Sequence, residues 1–94
     1  MTSREVHILS YFSLPTDLAA ALQSWPEFQG GDEYHVDLSD ACEKVAVRFI
    51  EPDDESPYVS VAGQGCGRLF DQVLGFVIHS LAARSDNLMV DRVS

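Results

Sequence analysis

Three alternating glycines, Gly63, Gly65 and Gly67, are the residues whose spacing is most open to a chemical interpretation. They stand between a short apolar run and the most apolar stretch of the chain, so they connect a predicted strand to a predicted helix. The backbone N–H groups of such a turn can hold a phosphate at a helix N-terminus. However, the spacing matches neither the dinucleotide-binding pattern nor the P-loop. We therefore expect the glycines to form a structural corner that permits positive φ angles and close helix–sheet packing.

Cys66 is a candidate nucleophile because it lies near the predicted helix N-terminus, where a thiolate is stabilised. A cysteine-dependent enzyme would also need a base and a carboxylate, and His35 and Asp37 share the outer face of one predicted strand. The alternative function is thus a small cysteine-dependent enzyme or ligand-binding domain that uses the Gly63–Gly67 loop with Cys66 and Arg68. No cysteine-hydrolase signature surrounds Cys66, so we predict a structural cysteine and no catalytic residue.

The residues that could bind a metal are scattered along the chain. They are two cysteines, three histidines and separate carboxylates, and they form no C-x-x-C, H-E-x-x-H or calcium-loop pattern. We expect neither a metal site nor a cofactor. Two cysteines also fall short of the disulfide framework of a small secreted domain.

The charge balance excludes several classes of partner. Six basic residues stand against fifteen acidic ones, which gives a net charge of −9 and a pI near 4.4. Such a chain is repelled by phosphate backbones and anionic membranes, so we expect direct binding to neither nucleic acid nor membrane. No apolar run approaches the length of a membrane span, and no signal-peptide pattern precedes Val6. These features predict a cytoplasmic protein.

The middle of the chain is the most acidic part. Ten acidic residues lie between Glu27 and Glu55, and only Lys44 and Arg48 offset them. Several of the ten are predicted on the outer face of a hairpin or in its flanking loops, where their field would attract a basic partner. The predicted partner-binding residues in this region are Glu33, His35, Asp37, Asp53, Asp54 and Glu55. The alternative is a solvated face that keeps the domain soluble by its charge.

The elements that would position these residues follow from hydrophobic periodicity. Predicted strands cover residues 5–12, 33–39, 44–51 and 58–62, with a further terminal strand at 88–93. In the second of these, Tyr34, Val36 and Leu38 are predicted to point inward. One helix is predicted to start near Ser13 and to end before Pro26, and the other to cover residues 68–84. Residues 27–32 are predicted to form a loop.

This order predicts one α+β domain over residues 1–94. The expected architecture is a two-layer sandwich in which two helices lie on one face of a mostly antiparallel sheet of four or five strands, in the order β-α-β-β-β-α-β. Strand 5–12 is apolar on both faces and should be central. A ferredoxin-like arrangement with an extra strand is one candidate topology.

The second helix carries more apolar surface than a sheet alone would cover. Leu69 and Phe76 lie beyond one edge of the stripe predicted to face the core. Either the terminal strand covers this flank, or Leu69 and Phe76 contact another chain. The second option adds both residues to the predicted partner-binding set and allows a homodimer or a homo-oligomeric structural protein.

The functional hypothesis that follows is a small acidic protein that binds and inhibits a basic protein partner without catalysing a reaction. In size, charge and lack of catalytic motifs the chain is similar to small acidic bacterial inhibitors such as toxin-immunity proteins and antitoxins. A toxin or a nucleic-acid-handling enzyme is the expected kind of partner, because the active surfaces of such enzymes are basic.

Overall fold

The chain forms one antiparallel sheet with two helices on one of its faces. The computed structural model describes residues 2–9, 16–32, 34–54, 57–83 and 89–92. In chain order its elements are β1 (Thr2–Leu9), α1 (Thr16–Gln23), β2 (Phe28–Gly31), β3 (His35–Ser39), β4 (Glu43–Ile50), β5 (Tyr58–Gly65), α2 (Arg68–Ala82) and β6 (Met89–Arg92). Residues 10–15, at the predicted end of the first strand and start of the first helix, lie outside the described residues.

The spatial order of the strands is β2-β3-β4-β5-β1-β6, and every neighbouring pair is antiparallel. Strands β1 and β4 are therefore parallel with β5 between them, and β5 and β6 are parallel with β1 between them. This is the split β-α-β arrangement of ferredoxin-like folds, extended at one edge by β2 and β3. The predicted α+β class is confirmed, and β1 is an interior strand of the sheet, as its two apolar faces predicted.

The sheet contains a strand that the sequence did not predict. Residues 27–32 were expected to form a loop, but Phe28–Gly31 pairs with β3 as the edge strand β2, with a register shift between Phe28 and Gly30. Gly30 and Gly31 kept this segment from being predicted as a strand, because glycine is depleted in regular strands and is found at bulges and close backbone contacts. Gly31 has a φ of +148° and its backbone lies against that of His35.

The core lies between the sheet and the helices. Alternate residues of the strands face it, and the register aligns Val6, Val61, Val47 and Val36 across four strands. Leu18 and Leu22 of α1 and five residues of α2 pack against this face; the five are Leu69, Phe70, Val73, Val77 and Leu81. The alternation predicted for the hairpin strands is thus confirmed at Val36, Leu38, Val45, Val47 and Phe49.

Within the described residues, neither helix is long and apolar enough to cross a membrane.

The apolar flank of α2 is covered within the chain. Leu69 is 1% exposed and belongs to the core, so the prediction that it contacts another chain is wrong. Its side chain is buried together with Phe70 and Val73, so the core-facing stripe of α2 is wider than the sequence periodicity indicated. Phe76 is half-buried and meets Trp25 edge-on, with ring centroids 5.5 Å apart. Trp25, beyond the end of α1, therefore covers the flank that the sequence left without a neighbour.

Candidate functional site

The glycine-rich segment is the corner between β5 and α2. Gly63 and Gly65 continue β5, and Gly67 caps α2 with a φ of +93°. A Cβ at Gly63 would lie 2.5 Å from Cδ2 of Phe70, so only glycine lets the helix approach the strand this closely. The expectation of a structural corner with positive φ and close packing is confirmed.

The N-terminus of α2 is occupied by a carboxylate from the sheet. The backbone N–H of Leu69 donates to Oε1 of Glu43, and the N–H of Phe70 donates to Oε2 at 3.2 Å. The thiol of Cys66 donates to the same Oε1 at 3.3 Å. Glu43 is only 4% exposed, so it satisfies backbone donors that Gly67 cannot reach with a side chain. These donors are not free to bind a phosphate.

A tight turn before β4 fixes Glu43 in place. Oδ1 of Asp40 accepts the backbone N–H groups of Cys42 and Glu43, each at 2.9 Å, and the N–H of Asp40 donates to the carbonyl of Glu43. The hydrogen bond from Cys42 N–H lowers the pKa of Asp40, and the charge of Arg68 acts in the same direction. Glu43 is one of the ten acidic residues between Glu27 and Glu55. It is an internal ligand of α2 and contributes little to the outer field.

Two free, exposed cysteines meet at this corner. The sulfur atoms of Cys42 and Cys66 and a carboxylate oxygen of Glu43 all lie within 4.8 Å of one another. A hydrogen bond with the Cys66 thiol raises the pKa of Cys42 to about 12, and burial and the charge of Asp40 add to the effect. Cys42 is therefore held in its protonated form at neutral pH.

The proposed grouping of Cys66 with His35 and Asp37 is not assembled. Cys66 contacts Glu43, which shares the helix-covered face with Val45, whereas His35 lies on the opposite, open face. His35 pairs with Arg48, five residues along β4 from Glu43, which corresponds to roughly 17 Å. A base and a nucleophile must come within hydrogen-bond reach, so these residues do not form a catalytic set.

The open face of the sheet carries two histidine–carboxylate pairs. His35 Nε2 lies 2.8 Å from Oδ1 of Asp37, and His7 Nε2 lies 3.3 Å from Oε2 of Glu5. Between them is a groove of about 810 Å³ with Ala46 and Ala62 in its lining, and its polar lining includes Glu5, Gln29, Asp37, Lys44 and Gln64. Because Lys44 and Arg48 share this face with Asp37, the outer face of the hairpin is not strongly acidic.

Four exposed acidic side chains lie instead at one end of the sheet. We define the acidic end by the exposed residues that the structure describes in the β2–β3 turn and the β4–β5 loop, which are Asp32, Tyr34, Glu51, Asp53 and Asp54. The two segments are close together because the start of β3 lies beside the end of β4. The backbone N–H of Phe49 donates to the carbonyl of Tyr34 at 2.8 Å. Two of the predicted partner-binding residues, Asp53 and Asp54, therefore lie here. Glu33 and Glu55 lie outside the described residues.

Tyr34 is the feature of the acidic end that the sequence missed. It was predicted to point inward, but it is 54% exposed and is the only large apolar side chain so exposed among the described residues. Its backbone N–H donates to Oδ1 of Asp32 at 2.8 Å, and its ring stacks on Phe49 with centroids 6.5 Å apart. Strand β3 begins at His35, the residue after Tyr34, so the inward–outward alternation of the strand does not include Tyr34.

No protein-family model, curated protein or solved structure matches this chain. Function is therefore inferred from the geometry and charge of its surfaces.

Proposed function

We propose that this protein binds a basic protein partner through its acidic end and inhibits that partner by covering its functional surface, without catalysing a reaction. The observation that carries the proposal is an exposed tyrosine among exposed carboxylates. Tyr34 stands beside Asp32, in a turn that shares one end of the sheet with Glu51, Asp53 and Asp54. Tyrosine is enriched at the centres of protein–protein interfaces, and polar residues form the rim around such centres.

The anchor is ordered before binding. The ring of Tyr34 rests on Phe49, and its backbone is held on both sides, by Asp32 and by the N–H of Phe49. A side chain fixed in this way loses little conformational freedom when a partner covers it, which favours affinity. The neighbouring carboxylates supply the long-range attraction, which acts over about 10 Å at 0.1 M salt.

The finer proposal is an inhibitor of the immunity or antitoxin type. Carboxylates at one end of a domain of net charge −9 can occupy the basic surface with which a nucleic-acid-handling enzyme contacts phosphates. The alternative of an enzyme at the glycine corner receives less support, because Glu43 already occupies the donors at the start of α2.

The experiment compares two variants that raise the net charge equally, from −9 to −7. One carries Asp53→Asn and Asp54→Asn at the acidic end, and the control carries Gln23→Lys and Gln72→Lys at exposed positions of the two helices. A third variant, Tyr34→Ala, removes the anchor. Each protein is immobilised and used to capture partners from the cells that produce it, and bound proteins are quantified at low and high salt.

We expect a basic partner that the unchanged chain and the lysine variant retain and that the other two variants lose. The association rate should fall about 10-fold or more between low and high salt. Equal losses in the asparagine and lysine variants would reduce the effect to net charge alone and would reject the acidic end as the binding surface. Inhibition is then measured directly as the partner's activity with increasing amounts of this protein.

A further inference from the structure

We propose that Cys42, Cys66 and Glu43 form a binding site for a thiophilic divalent cation, of which Zn²⁺ is the expected example. Their three ligand atoms lie within 4.8 Å of one another. Two sulfurs bound to one tetrahedral zinc at about 2.3 Å would lie about 3.8 Å apart. Both thiols are exposed, so rotation of their side chains can close the remaining distance without moving the core. The ligands are two thiols and a carboxylate, a set that suits zinc better than magnesium or calcium.

The hydrogen bonds at this corner show where the cation would sit. Oε1 of Glu43 accepts the Leu69 N–H, and it also accepts the Cys66 thiol at 3.3 Å. A carboxylate oxygen has two lone pairs, so one serves the helix while the other is aimed at the sulfur of Cys66. The Cys66 sulfur in turn interacts with the thiol of Cys42. A cation between the three atoms would replace the protons of these two thiols.

Glu43 and Cys42 are held in position by backbone groups. The N–H groups of Leu69 and Phe70 fix the carboxylate, and Oδ1 of Asp40 holds the N–H of Cys42 at 2.9 Å. Metal sites use outer hydrogen bonds of this kind to orient their ligands. The helix N-terminus and Arg68, which acts on Asp40, offset the negative charge that two thiolates add.

The binding step balances as an exchange of one cation for two protons. Each thiol releases its proton to solvent, both thiolates and Glu43 bind the divalent ion, and water completes a four-coordinate site. Cys42 and Cys66 are distant in sequence and form no recognisable spacing, but the pairing of Glu43 with Gly65 brings them together. The site lies at the opposite end of β4 from the acidic end, so it does not depend on the proposed partner surface.

The test titrates the reduced full-length chain with Co²⁺ and then with Zn²⁺. We expect a thiolate-to-cobalt charge-transfer absorption that Zn²⁺ displaces, and calorimetry in two buffers should count two protons released per ion. Cys42→Ser and Cys66→Ser should each weaken Zn²⁺ binding by more than about 100-fold, which exceeds the usual effect of losing an outer-shell partner. Circular dichroism checks that both serine variants remain folded.

His7→Ala and His35→Ala are the controls, because they remove the histidine–carboxylate pairs of the open face. Both should bind Zn²⁺ as tightly as the unchanged chain. In the unchanged chain, Zn²⁺ should also raise the melting temperature, and in the serine variants it should not. Zn²⁺ affinity that is unchanged in either serine variant, or lost in a histidine variant, would overturn the assignment, as would cobalt binding without a thiolate absorption.

Discussion

Replacement of Glu43 by alanine should destabilise this protein more than the loss of any exposed acidic residue. The substitution removes the acceptor of two backbone N–H groups, those of Leu69 and Phe70, at a site where Glu43 is 4% exposed. A hydrogen bond to a charged group contributes about 1.5–3 kcal/mol. The expected loss is therefore about 3–6 kcal/mol, a large part of the roughly 5–14 kcal/mol free energy of unfolding expected for a chain of this length.

Glu43→Gln gives a graded test of the same reasoning. Glutamine keeps one carbonyl oxygen for one of the two N–H groups, so we expect about half the loss, roughly 1.5–3 kcal/mol. The matched control is Glu51→Gln, an exposed acidic residue just beyond β4, which should change stability by no more than about 0.5 kcal/mol.

Urea denaturation followed by circular dichroism measures these differences. With an m-value of about 1.5 kcal/mol/M, a loss of 3 kcal/mol lowers the urea midpoint by about 2 M. Amide hydrogen exchange adds a local measurement, because the N–H groups of Leu69 and Phe70 should lose protection first in both Glu43 variants. A free energy of unfolding for Glu43→Ala within about 1 kcal/mol of the unchanged chain would refute the role assigned to this carboxylate.

Three further outcomes follow from the same corner and from α2. Gly63→Ala should cost about 1–3 kcal/mol, because its Cβ would press on Phe70, and thermal melting should show the loss. Gly75→Ala should instead gain about 0.5–1 kcal/mol in the same assay, because no described atom lies within 4 Å of the added Cβ and alanine favours the helix. In the metal-free chain, alkylation of Cys42 at pH 8 should be at least about 10-fold slower than that of a free thiol. The rate should increase as the pH rises toward about 12, the raised pKa of Cys42. Cys66→Ala removes the largest cause of that shift and should speed the alkylation of Cys42 at pH 8. Fast alkylation of Cys42 at pH 8 would contradict the hydrogen bond between the two thiols.

Hydrophobic alternation was sufficient to predict most of the sheet and its buried face. Val36 and Leu38 in β3, and Val45 and Val47 in β4, lie where a period of two places them. The same alternation also indicates that Glu43 points inward. Glu43 has the parity of Val45, so a charged residue stood at an inward position and needed an internal partner.

Other features depend on contacts between segments that are distant in the sequence. The exposure of Tyr34 follows from the point at which β3 begins, and periodicity does not fix strand ends. The covering of Phe76 by Trp25 requires the relative placement of two helices, and the meeting of Cys42 with Cys66 requires the β4–β5 register. Edge strand β2 was missed because Gly30 and Gly31 give it the composition of a turn.

The carboxylate at the start of α2 also has a consequence for the order of folding. Glu43 lies 26 positions before Leu69 and 27 before Phe70 in the chain, and Gly67 has no side chain that could cap the helix locally. The first turn of α2 is therefore completed only after β4 and β5 have paired, which is a non-local and slower event than helix formation. The amide groups of α2 and of the β4–β5 pair should therefore gain protection from hydrogen exchange together during refolding. The most apolar helix of the chain is then stabilised only when a sheet is present to cover it.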